Sequence, residues 1–242
     1  MHRHEDNRQV ADTPLSGVSL LHVWPDLAER LAPEERGVVE RALVAPLLRA
    51  RDKDLAVALG VESGAALGFV LVDGIVFKET TLTTTSALEL LGPGDVLAPP
   101  LSATRQLEFR AVSRYLALGD VSIARLGVRF TRIAARWPQV SEFLHGQIAE
   151  QAHRASEHLA MLHLPRAEDR ILALFAELGE RFGRVSPEGI LIDLPLNHQL
   201  IGQLIACRRP TATLALQHLH DQRRLTRLND NSWKLTLSGT SS

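Results

Sequence analysis

The chain has 242 residues, and its 27 lysines and arginines nearly balance its 28 aspartates and glutamates. This balance excludes a uniformly basic nucleic-acid coat protein and an acidic disordered tail. The single cysteine, Cys207, excludes a disulfide framework and any zinc or iron–sulfur site that needs several thiolates. The polar first residues and the lack of an apolar run of membrane-spanning length predict a soluble, cytoplasmic protein.

The first half of the chain changes from helical to strand-like texture. Residues 1–20 follow no periodic pattern and are predicted to form a flexible leader. Apolar residues at helical spacing predict helical structure over Pro25–Leu48. From about residue 55 to residue 118, short apolar runs alternate with turn signals, which is typical of a small barrel or sandwich. Asp73-Gly74 predicts a hairpin or tight turn between two strands, and Gly92–Asp95 predicts another turn.

Helical character returns at Asp120 and breaks at Trp137-Pro138, and a second helix is predicted from Gln139 to His163. Five apolar residues of this helix follow heptad spacing over about two heptads. Two interpretations stay open: a seam that pairs with a second copy of the chain, which we favour, or a helix that packs on its own barrel. The seam residues are Ile148, Ala152, Ala155, Leu159 and Leu162.

The most informative segment, Leu196–Leu219, divides into two short helices joined by a tight turn. Asn197 is predicted to cap the first helix, and Pro210 suits the first turn of the second because its missing N–H needs no partner there. Arginines, hydroxyls and amides facing outward suit phosphates and base edges. The candidate DNA-binding residues are Asn197, His198, Gln199, Arg208, Arg209, Thr211, Thr213 and Gln217.

The surroundings of this segment agree with DNA binding. A helix over Arg166–Arg181 and a short strand over Gly189–Asp193 precede it, and strands at 225–228 and 233–237 follow as a β-hairpin wing. The stretch from Leu196 to the end of the chain holds six basic and two acidic residues, whereas the remainder is net acidic. The wing and this asymmetry favour DNA binding over an ordinary αα-hairpin with a solvated basic face.

The order barrel, long helix, winged helix–turn–helix resembles the CRP/FNR superfamily of bacterial transcription regulators over about residues 22–237. Ile201-Gly-Gln-Leu204 and Arg209-Pro-Thr211 carry the resemblance most specifically, with Leu91-Gly-Pro-Gly-Asp-Val96 in the barrel. Leu214 departs from it, because many members place a polar or basic reader there. The resemblance implies an α+β fold with a leader (1–20), an N-terminal jelly-roll-like β-roll (21–137), a dimerisation helix (138–164) and a C-terminal winged helix–turn–helix (165–242).

The barrel departs from those family members that bind cyclic nucleotides. They carry Gly-Glu after the turn and Arg-Ser/Thr-Ala downstream. Here Ala98-Pro99-Pro100 stands at the first place, and Arg105-Gln106-Leu107 is the nearest match to the second. Prolines remove backbone N–H donors that a phosphate needs. Arg105 is therefore only a weak candidate for binding an effector, and control by cyclic AMP is not expected.

The resemblance implies a homodimeric, sequence-specific transcription regulator rather than an enzyme. Its expected partners are double-stranded DNA with a two-fold operator, a second copy of the chain, RNA polymerase and an unidentified small-molecule effector, without a cofactor, metal or membrane. The alternative is a barrel enzyme or protein-interaction module that keeps a winged helix for assembly. A metal-dependent barrel enzyme is disfavoured because no histidine lies between His22 and His145.

Overall fold

The computed structural model describes residues 17–51, 55, 67–98, 111–228 and 230–236. The chain divides into two compact units, Met1–Ala152 and His153–Ser242. Both units combine helices with antiparallel strands, so the predicted α+β class is confirmed. No helix in the described part of the chain is long and apolar enough to cross a membrane.

An antiparallel sheet forms the framework of the first unit. Its described strands are β1 (Gly17–Ser19), β2 (Val44–Arg51), β3 (Gly68–Leu82), β4 (Thr85–Leu91), β5 (Val96–Leu97) and β6 (Ala111–Leu126). They run in the order β1-β2-β6-β3-β4, and β5 pairs with β3. Leu71, Val76, Tyr115 and Ile123 of the two long strands β3 and β6 are buried in one core cluster. The sheet and this cluster agree with the predicted N-terminal β-roll.

Short helices pack against the sheet in a second core cluster. They are α1 (Leu20–Val23), α2 (Pro25–Glu29), α3 (Pro33–Ala42) and α4 (Val128–Ala134). Leu20, Leu27 and Val39 are fully buried there, together with Val70 of β3 and Phe130 of α4. These contacts fix the start of the described chain onto the sheet.

Residues 17–20 are part of this layer and not of a leader. Gly17 pairs with Pro46 across β1 and β2, and the side chain of Leu20 is fully buried. The predicted flexible leader over residues 1–20 is therefore wrong for its last four residues. Residues 1–16 lie outside the described residues.

The predicted helical stretch over Pro25–Leu48 is wrong at its C-terminal end. Two helices, α2 and α3, occupy its first part, and Val44 begins strand β2. Pro46 explains the change, because proline in a helix interior removes a hydrogen bond and clashes with the preceding turn. In β2 the same residue pairs with the short strand β1.

Asp73-Gly74 forms a bulge and not the predicted hairpin. Strand β3 runs through the dipeptide, and its register against β6 shifts on both sides of Asp73. Gly74 has a φ of +90°, and a Cβ there would lie 2.9 Å from Cγ1 of Val121. A glycine with positive φ serves a bulge as well as a hairpin turn, so the dipeptide alone did not separate the two. Gly92–Asp95, in contrast, forms the predicted turn, closed by the Asp95 carboxylate, which accepts the Gly92 N–H at 2.9 Å.

The helix predicted from Asp120 to Trp137 is wrong in its first part, because β6 continues to Leu126, and helix α4 begins only at Val128. In this stretch β6 pairs with β2 on one side and with β3 on the other. Val121 and Ile123 are buried, while Ser122 between them is half-buried. Pairing with strands that are distant in the sequence thus overrides the local helical spacing.

The long helix α5 (Pro138–Leu162) matches the helix predicted over Gln139–His163 to within one residue at each end. It begins in the first unit and ends in the second, and a separate dimerisation segment over residues 138–164 stays a prediction. In the first unit the rings of Phe143 and Trp24 pack in a T-shaped arrangement, 5.7 Å apart between centroids. The Gln151 amide accepts the Val96 N–H at 2.9 Å and donates to the Val96 carbonyl at 3.1 Å.

The second unit builds one core from short elements. They are α6 (Ala167–Phe182), β7 (Gly183–Ser186), β8 (Gly189–Ile192), α7 (His198–Leu204), α8 (Arg209–Asp221), β9 (Leu225–Arg227) and β10 (Trp233–Leu235). The described strands form a sheet in the order β7-β8-β10-β9. Phe175 of α6 packs on Trp233 of β10 at 5.1 Å between ring centroids, and Leu219 of α8 is fully buried. The predicted helices, strand and wing are present, and β7 is an additional strand.

Candidate nucleic-acid interface

A tight turn joins α7 to α8. The Asn197 side chain caps α7 by accepting the Leu200 N–H at 2.9 Å, as predicted. After α7, Ala206 adopts a φ of +51°, and the Cys207 N–H returns to the Gly202 carbonyl at 2.8 Å. A Cβ on Gly202 would lie 3.0 Å from the Cys207 carbonyl oxygen, so glycine leaves the space that this turn needs.

Helix α8 has one buried and one exposed face. Ala212, Ala215, Leu216 and Leu219 are buried. The opposite side is open to solvent, and we call it the recognition face. It consists of Arg208, which precedes the helix as its N-cap, and of Arg209, Thr211, Thr213, Leu214 and Gln217, all exposed.

His198, at the start of α7, connects that helix to the recognition face. Its Nδ1 lies 3.1 Å from Oγ1 of Thr213. Burial, followed by the positive charges of Arg227 and Arg209, lowers the pKa of His198 below its ordinary value. The lowered pKa favours the neutral imidazole, whose ring nitrogen can accept from or donate to Thr213. Its neighbours Asn197 and Gln199 are exposed.

Arg227 of the wing is a further candidate interface residue that the sequence did not single out. It lies in β9, and its charge acts on His198 together with that of Arg209. Its guanidinium lies 5.8 Å from the Trp233 ring centroid and donates to Asn231 Oδ1 at 2.7 Å. The sequence could have indicated Arg227, because it is a basic residue in a predicted wing strand. Only the fold shows that its charge acts at the start of α7.

Helix α6 supports the interface from behind. Arg170 donates from Nε to the Leu164 carbonyl at 2.6 Å and from Nη1 to the Ile205 carbonyl just after α7, at 3.3 Å. Glu168 lies 3.2 Å from Nδ1 of His218 on α8. Hydrogen bonds from its own backbone N–H and from His218 lower the pKa of Glu168. Together these contacts hold both helices of the motif against α6.

The five predicted seam residues of α5 lie at the surface of the single chain. Ile148 is 42% exposed and Leu159 is 60% exposed. Ala152 is also exposed, while Ala155 and Leu162 are half-buried. The stripe is therefore open, and pairing with a second copy stays a prediction.

The predicted effector position lies outside the described residues, because these stop at Ala98 and resume at Ala111. At Ala98, the last described residue before this gap, the carbonyl accepts a hydrogen bond from the Tyr115 hydroxyl at 3.1 Å. Burial, and then the charge of Glu89, raise the pKa of Tyr115 to about 12. Arg105 thus remains a sequence-based prediction.

A cavity of about 600 Å³ opens elsewhere in the first unit, between β1, α3 and α4. Its lining is mainly apolar, with Val44, Phe130 and Ile133 among the contributing residues. The charged side chains in the lining are those of Arg41, Arg125 and Arg129. In volume it falls within the range of small-ligand pockets.

Comparisons by sequence find a partial relative of this chain. No protein-family model matches the chain. Regulatory protein CysR from Synechococcus elongatus is 27% identical over 146 residues, which make up 58% of this chain and 62% of CysR, so the match spans less than two thirds of that relative.

Solved structures resemble the chain over most of its length. FixK2 from Bradyrhizobium japonicum has a TM-score of 0.62 at 22% identity, covering 80% of this chain and 93% of FixK2. A mutant of CooA from Carboxydothermus hydrogenoformans has a TM-score of 0.64 at 19% identity, covering 94% and 93%. A CRP/FNR-family transcriptional regulator from Thermus thermophilus has a TM-score of 0.53 at 15% identity, covering 79% and 93%. The chain has the fold of the CRP/FNR superfamily of transcription regulators.

Proposed function

We propose that this protein is a homodimeric, sequence-specific DNA-binding transcription regulator of the cytoplasm, and not an enzyme. The observation that carries the proposal is the composition of the recognition face. Two arginines, two threonines and a glutamine are exposed there, while the opposite side of α8 is buried in the core. Such side chains bind phosphates and the hydrogen-bonding edges of bases in the major groove.

The position of each residue on the motif suggests its partner. Arg209 and Gln217 lie on α8 itself, and in helix–turn–helix proteins the recognition helix contacts base edges from within the major groove. Arg209 can fork onto a guanine, and Gln217 can pair with an adenine. Arg208 precedes the helix and Arg227 lies in the wing, so both are proposed to bind phosphates. Thr211 and Thr213 supply hydroxyls for either kind of contact.

The start of α7 is proposed to cross the DNA backbone, as the first helix of this motif does in known complexes. Gln199 is exposed and supplies an amide donor for a phosphate. Asn197 keeps its amide nitrogen for the same purpose, since only its oxygen is used in the cap. His198 orders Thr213 through their hydrogen bond.

Dimerisation is proposed to occur through the seam of α5. Two recognition helices must be held about 34 Å apart to enter successive major grooves on one side of a two-fold site. The exposed apolar residues Ile148 and Leu159 would be buried against the same residues of a second copy, and such an interface is isologous. The small side chains of Ala152 and Ala155 permit a close approach of the two helices.

Cyclic AMP and cyclic GMP are not expected to control this regulator. Ala98-Pro99-Pro100 stands where nucleotide-binding relatives carry Gly-Glu, and the prolines offer no N–H groups to a phosphate. Calorimetry with cyclic AMP or cyclic GMP should show no binding at physiological concentrations. Micromolar affinity coupled to tighter DNA binding would contradict this part of the proposal.

RNA polymerase and an unidentified small molecule would be further partners.

DNA binding is tested by selecting sites from random double-stranded DNA with the full chain and measuring affinity at several salt concentrations. We expect affinity to fall steeply with salt, because each neutralised phosphate releases counterions. The double variant R208A/R209A should lose most of the affinity. The control R132A/R136A removes two exposed arginines in and just after α4 of the first unit and should bind as the wild type does.

Equal affinity of the wild type and the R208A/R209A variant for the selected sites would reject the proposal. A chain that selects no DNA sequence at any salt concentration would favour the alternative, a barrel enzyme or interaction module with a winged helix kept for assembly.

A further inference from the structure

Leu214 is a large apolar side chain at the centre of the recognition face. It is 55% exposed and is the sixth residue of α8. Thr211 precedes it by three residues and Gln217 follows it by three, and both are exposed polar residues on the same side of the helix. An isolated exposed leucine is ordinary on a protein surface. What is unusual about Leu214 is its position between two polar residues of the recognition face, and not its exposure alone.

The geometry of α8 points Leu214 away from the protein core. Residues of an α-helix are separated by about 100°. Ala212, Ala215, Leu216 and Leu219 are buried, and on this spacing Leu214 falls nearly opposite the centre of that group. The side chain therefore projects toward whatever the recognition face binds.

The chemistry of the major groove restricts what a leucine can meet there. Base edges in this groove offer hydrogen-bond donors and acceptors, together with one apolar group, the 5-methyl of thymine. A leucine that covers a donor or acceptor leaves it without water and without a partner, which is unfavourable. Against a thymine methyl, both apolar surfaces leave water together.

We propose that Leu214 packs against the 5-methyl group of a thymine in each half-site and thereby specifies that base. The inference rests on the proposed DNA-binding function and adds a base preference to it. Neighbouring Thr211 and Gln217 would take the hydrogen-bonding positions on either side of the contact.

Deoxyuridine provides a direct probe, because it differs from thymidine only by this methyl group. DNA sites selected by the full chain are resynthesised with deoxyuridine at each shared thymine in turn, symmetrically in both half-sites. Burying one methyl contributes a factor of about four to a binding constant. Loss of both methyls should therefore weaken wild-type binding about fifteen-fold at one thymine position.

The variant L214A should bind the thymine and deoxyuridine sites with equal affinity. Leu214 is exposed and alanine has the highest helix propensity, so the variant should fold. V38A is the matched control, because Val38 is 51% exposed on α3 in the first unit. This control should keep the full sensitivity to the methyl group.

Two results would overturn the inference while leaving the proposed function intact: selected sites that tolerate deoxyuridine at every thymine, or an L214A variant with wild-type sensitivity. Failure to select any DNA sequence would instead overturn the proposed function, and the inference with it. Methyl sensitivity that disappears only in L214A would support the inference.

Discussion

Two exposed helix faces of this protein have opposite chemistry. The seam on α5 presents Ile148 and Leu159, whereas the recognition face on α8 presents Arg209, Thr213 and Gln217. An apolar stripe gains free energy when water leaves it. A cationic face gains by exchanging counterions and water for phosphates and base edges. Helical spacing thus identifies an outward face, while side-chain chemistry decides its partner.

The largest effect is expected from changing the chemistry of the α5 seam. Leu159→Glu would place two like charges close together in a desolvated interface. We expect a folded, largely monomeric protein in sedimentation experiments. Its DNA affinity should fall by about 10²–10⁴-fold, because the two half-sites are no longer bound jointly.

The control for this variant is Val38→Glu, which adds the same charge at an exposed valine of α3. It should behave as the wild type does in sedimentation. A wild type that is monomeric at tens of micromolar, or an L159E variant that dimerises fully, would remove the seam from the proposed assembly.

The next largest effect is expected on the recognition face. Arg209→Ala should cost about 1–3 kcal/mol of binding free energy if the guanidinium forks onto a guanine. The loss should be concentrated on sites that carry this guanine, as titrations of matched and mismatched DNA would reveal. An equal loss on every DNA sequence would assign Arg209 to phosphate binding.

Arg227 in the wing provides a second test of the difference between base recognition and phosphate binding, because it is proposed to bind phosphate. Arg227→Ala should weaken binding to all sequences alike and lower the salt dependence by about one phosphate contact per subunit. Affinity measured against salt concentration gives this slope. The exposed Arg132 of α4 provides the control, and an unchanged slope in R227A would exclude the wing contact.

A smaller effect, on stability, is expected at Asn197. Asn197→Ala removes the side-chain cap of α7 and should lower the free energy of unfolding of the second unit by about 1 kcal/mol. Asn197→Asp retains a capping oxygen and is the control in urea unfolding. Equal stability of all three proteins would show that the cap contributes nothing.

The smallest effect is expected in the titration of His198. Its pKa in the folded protein is lowered, so protonation favours the unfolded state. The contribution to stability is thus lost as pH falls below the unfolded value of about 6.5. Arg227→Ala removes one of the nearby charges and should raise the pKa of His198 in an NMR titration. Arg184→Ala, on β7, should leave it unchanged, and a lower pKa in R227A would contradict the assigned cause.

The second unit could be predicted largely from the sequence because its signals are local. The cap at Asn197, Pro210 in the first turn of α8 and the 3.6-residue spacing of the buried face each act within a few residues. Helices that are determined by caps and by spacing along one segment need no distant partner to be identified. The outward position of Arg209 and Gln217 follows from the same spacing.

The first unit could not be predicted in detail because distant strands decide it. Gly74 suits a hairpin turn or a bulge, and only the pairing of β3 with β6 selects the bulge. The residues after Asp120 carry a spacing that is compatible with a helix, yet β2 and β3 pair with them on both sides. Strand pairing depends on contacts between residues that are far apart in the sequence, and a local pattern does not contain this information.

The sequence by itself therefore determined the α+β class, the helix–turn–helix, the long helix α5 and which face of α8 looks outward, whereas the exposure of the α5 seam is known only from the structure. Only the tertiary structure decided the path of β3 and β6, the placement of residues 17–20 in the sheet layer, and the presence of Arg227 beside His198. The physical reason is the distance along the sequence over which each interaction acts, because caps and helical spacing involve residues that are close neighbours in the chain. Sheet register and the electrostatic environment of a side chain arise between residues that only folding brings together.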